Sequence, residues 1–188
     1  MSSLDLDICY LSASEALEKF KNKSLSPVEL LNETIKRIEN VNPKINAFNF
    51  FRFEEELKEA KHSELKYTED KSTLPLEGLP LAIKDEVNIK GQPNKNGSLI
   101  YKDVIAEGTD VDVESLVSSG AIIHARTTNP EFSLTSFCHS KVNGVTRNPW
   151  NLDMTPGGSS GGSAAALASG CASPVSYTHL RAHETLAD

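Results

Sequence analysis

The chain holds only three cysteines, two methionines and one tryptophan, and nowhere a long apolar run. Cys9, Cys138 and Cys171 are odd in number and unrelated in spacing. That excludes a disulfide framework and fits free thiols in a reducing, cytoplasmic setting. No Cys-x-x-Cys pair supplies metal ligands, and neither a metal nor another cofactor is expected. His62 and His124 read as surface and strand residues. Cys138-His139 could pair a nucleophile with its base, but sequence neighbours seldom point at each other. The apolar runs are too short to cross a bilayer. Met1-Ser2-Ser3-Leu4-Asp5 has neither a basic region nor an apolar one, so no signal peptide is expected. Positive charge is scarce too: the net charge is −7, which argues against nucleic acid as a partner. What remains is 188 residues of ordinary globular composition, enough for one domain with a core.

Glycine and serine, by contrast, are concentrated. Pro156-Gly157-Gly158-Ser159-Ser160-Gly161-Gly162-Ser163 runs directly into Ala164-Ala165-Ala166-Leu167-Ala168. Glycine permits close backbone approach, and alanine is the best helix former. The pattern reads as a turn feeding a helix N-terminus, where hydroxyls and free N–H groups favour developing negative charge. A flexible linker is the competing reading. Against it stand the short length of the segment and the helix former that follows without a polar spacer. A phosphate-binding loop would need a Gly-Lys-Ser/Thr ending, and Gly162-Ser163-Ala164 has no lysine.

Elsewhere the chain alternates helices and short strands. Ser12 with Glu15, and Ser26 with Glu29, match the capping-box pattern, and Pro27 suits the first helical position. Val28, Leu31, Ile35 and Ile38 make one apolar stripe, which Asn42-Pro43 is expected to stop. Ile45 to Phe50 alternates like a strand. Phe53 to Leu65 reads as a charged helix exposed on most sides, and Tyr67 to Thr73 as a loop. Leu79 to Ile83 reads as a buried strand whose end presents Lys84, with Asp85 a turning or capping acid. A surface loop follows over Lys90 to Lys102. Val111 to Ser119 reads as a helix closed by Gly120, and Ala121 to Ala125 as a second buried strand. Strand, crossover helix, strand predicts an α/β fold with a mixed, mainly parallel sheet flanked by helices. Thr146 to Asp153, with the lone Trp150, reads as a packed loop fixed by Arg147 and Asn148.

Taken in order, several segments resemble the amidase signature family. They are Gly78-Leu79-Pro80-Leu81-Ala82-Ile83-Lys84-Asp85, Gly120-Ala121-Ile122-Ile123, Thr128-Asn129-Pro130-Glu131-Phe132, Thr146 to Asp153, and Thr155 to Ala166. The resemblance covers nearly everything up to Pro174. It implies hydrolysis of a small amide through a Ser–Ser–Lys triad and an acyl-enzyme. Lys84 would be the base, and Ser159 the middle serine, held through a cis peptide bond. Gly157, Gly158, Ser160, Gly161, Gly162 and Ser163 would support them. The chemistry suits these residue types. A serine hydroxyl needs a base before it attacks an amide, and a lysine serves when neutral.

The family's nucleophilic serine lies in a Gly-Gly-Ser turn about two dozen residues past the middle serine. Here that register falls near His183 and Glu184, where the sequence has no glycine. The composition changes abruptly after Pro174. The expected organisation is therefore residues 1–174 as the N-terminal portion of an amidase domain. Residues 175–188 would be a foreign, adapter- or vector-derived tail. A chain without the nucleophile is expected to be inactive. Two alternatives stand beside the amide hydrolase. One is the glutaminase subunit of a tRNA-dependent amidotransferase, although Pro130 looks more like the general amidases. The other is a non-catalytic binding protein derived from an amidase.

Overall fold

The computed structural model describes residues 6–172 and 175–176. The boundary expected at Pro174, and residues 177–188 of the expected tail, lie outside the described residues. The chain begins with a short helix, α1 (Leu6–Cys9), then α2 (Ala13–Lys21) and α3 (Pro27–Ile45). Both capping boxes form. Ser12 and Ser26 accept from the backbone N–H of Glu15 and Glu29, whose carboxylates accept from the cap N–H in return. The helix α3 does not stop at Asn42-Pro43 but runs through Pro43 to Ile45. A proline in the last turn forfeits a single backbone bond, and its fixed φ suits the helix. The exit is made by Asn46 in the left-handed region, while Asn42 Oδ1 accepts from the N–H groups of Ala47 and Phe48.

Strand β1 (Phe48–Phe51) leads into α4 (Phe53–Thr68). The helix α4 is less exposed than its charge suggests. Glu56, Ala60, Ser63 and Tyr67 form a buried stripe at helical spacing. Its end also reaches into the expected loop, where the Tyr67 hydroxyl donates to the Glu77 carbonyl. Glu56 is the costly member of the stripe. One carboxylate oxygen has no hydrogen-bond partner among the described residues, and Arg52 Nε stands 3.8 Å from the other. Burial pushes this carboxyl up to about 7. A carboxyl that holds its proton longer when folded destabilises the fold once ionised. Stability should therefore fall as pH rises from about 4.5 to about 7. Glu56→Gln should remove a loss on the order of 1–3 kcal/mol. Urea titrations of both chains at pH 5 and pH 8 check this, and parallel pH dependences would refute it.

The core sheet has the order β1–β3–β2–β6, with β2 (Pro80–Lys84), β3 (Ile122–Thr127) and β6 (Val175–Ser176). β2 runs parallel to both β3 and β6, and β1 is antiparallel to β3. The sheet is thus mixed and mainly parallel. The helix α5 (Val111–Ser118) makes the crossover from β2 to β3, and Gly120 follows at φ +96°. A two-stranded hairpin of β4 (His139–Ser140) and β5 (Gly144–Val145) precedes α6 (Gly161–Ala168). Among the described residues no helix is long and apolar enough to cross a membrane. The three cysteines are not joined by disulfides.

Successive side chains of a strand point to opposite faces, and β2 shows this plainly. Ala82 packs with Ile38, Ala165 and Ala166 from α3 and α6. Leu81 and Ile83 pack instead with Val113 of α5 and with Val87. In β3 the pairing register shifts by one residue at His124: Leu81 pairs with Ile123, but Ala82 pairs with Ala125. Beyond the shift, Ala125 and Thr127 share the α6 side, and Arg126 turns to the other.

Candidate active site

The same alternation that buries Ala82 against α6 puts Lys84, two residues on, toward the start of α6. Its side chain is 1% exposed. Lys84 Nζ is hydrogen-bonded to Ser159 Oγ at 2.9 Å. The Gly158–Ser159 peptide bond is cis. Close packing fixes the turn that carries Ser159. A Cβ on Gly158 would lie 2.6 Å from the Thr135 carbonyl oxygen, and one on Gly161 2.4 Å from Cys138 Cβ. A Cβ on Gly162 would lie 2.4 Å from the Thr128 carbonyl oxygen. Glycines at these positions let the turn and the first residues of α6 sit directly on neighbouring backbone and on Cys138. Gly157, at φ +87°, makes the bend that enters the turn. Ser163 is buried and shares a 2.8 Å hydroxyl–hydroxyl hydrogen bond with Thr127. Ser160 Oγ is buried with no hydrogen-bond partner among the described residues.

Sequence reasoning missed the shell around Lys84. Asp85, read as a turning or capping acid, is buried. Burial holds its carboxyl above the usual carboxylate range, against the pull of the Arg126 guanidinium. Arg126 is itself buried, which brings its own value down to about 10. It donates to the carbonyls of Lys84 and Asp85 at 3.2 Å, to that of Val87, and to Gln92 Oε1 at 3.3 Å. One cation thereby pins the main chain on both sides of Glu86. Glu86 in turn places Oε1 2.9 Å from Lys84 Nζ. The signal for Glu86 was present: opposite charges two residues apart at a strand end can share a face. For Arg126 no local pattern exists, because its partners lie about forty residues earlier.

Other expectations are resolved by position. His124 is fully buried in β3, and desolvation lowers its imidazole to about 4. His139 stacks on Phe137, with ring centroids 4.6 Å apart, while the Cys138 thiol donates to the Thr128 carbonyl. The pair therefore makes no nucleophile–base contact. Arg147 Nη1 donates to the Leu152 carbonyl and the Asn148 N–H to that of Met154, so these two do fix their loop. Trp150, however, is 85% exposed rather than packed. It borders a groove of about 280 Å³ with Tyr10, Arg37 and Lys44. No cluster of three or more His, Cys, Asp or Glu that could hold a metal ion occurs among the described residues.

The family model described as Amidase matches residues 29–176. The chain belongs to the amidase signature family. Its match runs two residues past the boundary expected at 174. The chain is 39% identical over 158 residues to a glutamyl-tRNA(Gln) amidotransferase subunit from Methylacidiphilum infernorum, covering 84% of this chain and 31% of that protein. It is 36% identical over 159 residues to an indoleacetamide hydrolase of Bradyrhizobium diazoefficiens, covering 85% and 30%. Among solved structures, a bacterial aryl acylamidase superposes with TM-score 0.83 at 29% identity, covering 88% of this chain and 35% of that one. A fatty acid amide hydrolase superposes with TM-score 0.85 at 27% identity, covering 92% and 31%. The amidase fold is therefore present in part, and the chain spans about a third of the length of these relatives.

Proposed function

We propose that this amidase-family chain carries the base and the middle serine of a Ser–Ser–Lys relay for hydrolysing a small carboxylic amide. The observation that carries the reading is the 2.9 Å contact between Lys84 Nζ and Ser159 Oγ inside a buried site. In the relay, Lys84 takes the Ser159 proton. Ser159 takes that of an attacking serine and later hands one to the leaving amine. Backbone N–H groups hold the oxyanion, and water releases the acyl group from the enzyme. The attacking serine belongs to a Gly-Gly-Ser turn that the sequence after Pro174 does not contain, so this chain by itself does not turn over amides. The site works on a small-molecule amide in the cytoplasm.

A second reading, a glutaminase subunit, is favoured by amidotransferase relatives at up to 39% identity. Glutamine against a simple aryl amide, offered to the longest chain the source gene encodes, separates the two.

Residues 1–176 fused to the remaining segment of the M. infernorum protein test the relay itself. The fusion should hydrolyse glutamine, and the present chain should hydrolyse nothing above the blank. Lys84→Ala or Ser159→Ala in the fusion should lower kcat by roughly 10³-fold or more. Turnover that survives Lys84→Ala would sink the relay.

A further inference from the structure

Lys84 has a second partner that the relay does not use. Resting on the relay proposed above, the geometry points to Glu86 as a positioning residue that orients the Lys84 amine and stabilises the ammonium formed when it accepts a proton. The two ends of the lysine's surroundings differ. Ser159 Oγ and Glu86 Oε1 each lie 2.9 Å from Nζ. Lys84 is 1% exposed and Glu86 22%, so the carboxylate joins a buried amine to the edge of the solvent.

A base that must pull a proton from a hydroxyl works best when a third group fixes its orientation and meets the charge it acquires. A primary amine on a flexible stem needs this more than an imidazole, since its three positions rotate freely. The bond to Glu86 fixes one of those positions and leaves another toward Ser159. The proton balance is simple. The Ser159 O–H bond breaks, an N–H bond forms on Lys84, and the new positive charge stands beside the Glu86 carboxylate. No proton passes to Glu86.

The neighbouring acid does not compete. The Asp85 carboxyl is attracted by Arg126 and Lys95 and accepts from the Asn49 side chain and the Lys95 backbone N–H. Among the described residues, the carboxylate placed against Lys84 Nζ is that of Glu86. Arg126 holds the carbonyls of residues 85 and 87, and Asn94 donates to the Glu86 carbonyl at 3.3 Å, so the main chain that carries this carboxylate is fixed.

The test uses the 188-residue chain and needs no turnover. Brief acetylation with acetic anhydride at pH 8 is read at Lys84 by mass spectrometry and normalised to Lys66, whose partner is the remote Glu77. Glu86→Gln removes the charge with little change of shape, and Lys84 should be acetylated about tenfold faster or more. Glu86→Asp keeps the charge nearby, and its rate should stay within about threefold of the parent. If Glu86→Gln leaves the rate unchanged, or if Asp labels as fast as Gln so that loosened packing explains both, the proposal is overturned. Ser159→Ala separates it from the relay. A change with Ser159→Ala but none with Glu86→Gln keeps the relay and removes the role of Glu86. The reverse pattern keeps Glu86 and removes the relay.

Discussion

Replacing Arg126 with methionine should cost about 3–5 kcal/mol of unfolding free energy. Methionine fills much of the same volume, so packing is not what is lost. What is lost is the donor set that meets the carbonyls of Lys84, Asp85 and Val87 and the Gln92 amide oxygen. Each buried acceptor left without a partner costs about 1–3 kcal/mol. Asp85 adds to this, because its buried carboxyl loses the cation that opposes its desolvation. Asp85→Asn in the Arg126→Met background should therefore restore at least about 1 kcal/mol. Urea denaturation of the four chains completes the cycle. A chain with Arg126→Met that unfolds within about 1 kcal/mol of the parent would show that the guanidinium is not the anchor of this loop.

Gly162→Ala should act with a sign opposite to helix propensity. Alanine in place of glycine inside a helix normally gains about 1 kcal/mol. Here the added methyl would sit 2.4 Å from the Thr128 carbonyl oxygen and 2.5 Å from the Thr128 nitrogen, and neither atom is the end of a flexible side chain. The helix α6 must lift off the end of β3, at about 1–3 kcal/mol or more. That movement carries Ser159 away from Lys84 and breaks the Ser163–Thr127 bond. Gly108→Ala is the matched control, since nothing lies within 4 Å of its added Cβ. A thermal melt in which Gly162→Ala is as stable as the parent would contradict the packing described for the turn.

What could be read from the sequence was what neighbours in the chain decide. The two capping boxes, the apolar stripe of α3 and the buried run of β2 depend on residues three or four apart, or on one strand. Lys84 and Ser159 were legible through a longer pattern of spaced segments. Pro43 misled because the cost of a proline depends on where the helix ends, and Asn42 and Asn46 set that end through contacts with later residues. Glu56 looked like a surface acid because burial is decided by distant elements. Trp150 made its segment read as a packed loop, yet it is exposed beside Pro149 and Leu152. Arg126 was invisible for the same reason that it matters: its partners belong to a different strand and the loop after it.

The one-residue shift at His124 sets which partner each later side chain of β3 meets. Deleting a single residue there would move Arg126 into the station of Ala125 and Thr127 into that of Arg126. A guanidinium would then arrive in the apolar layer beside Ala165 and Ala166, and a small hydroxyl would face the three carbonyls that now share a cation. In this strand, counting matters as much as composition: the side chains keep their chemistry, and a change of frame alone reassigns their duties.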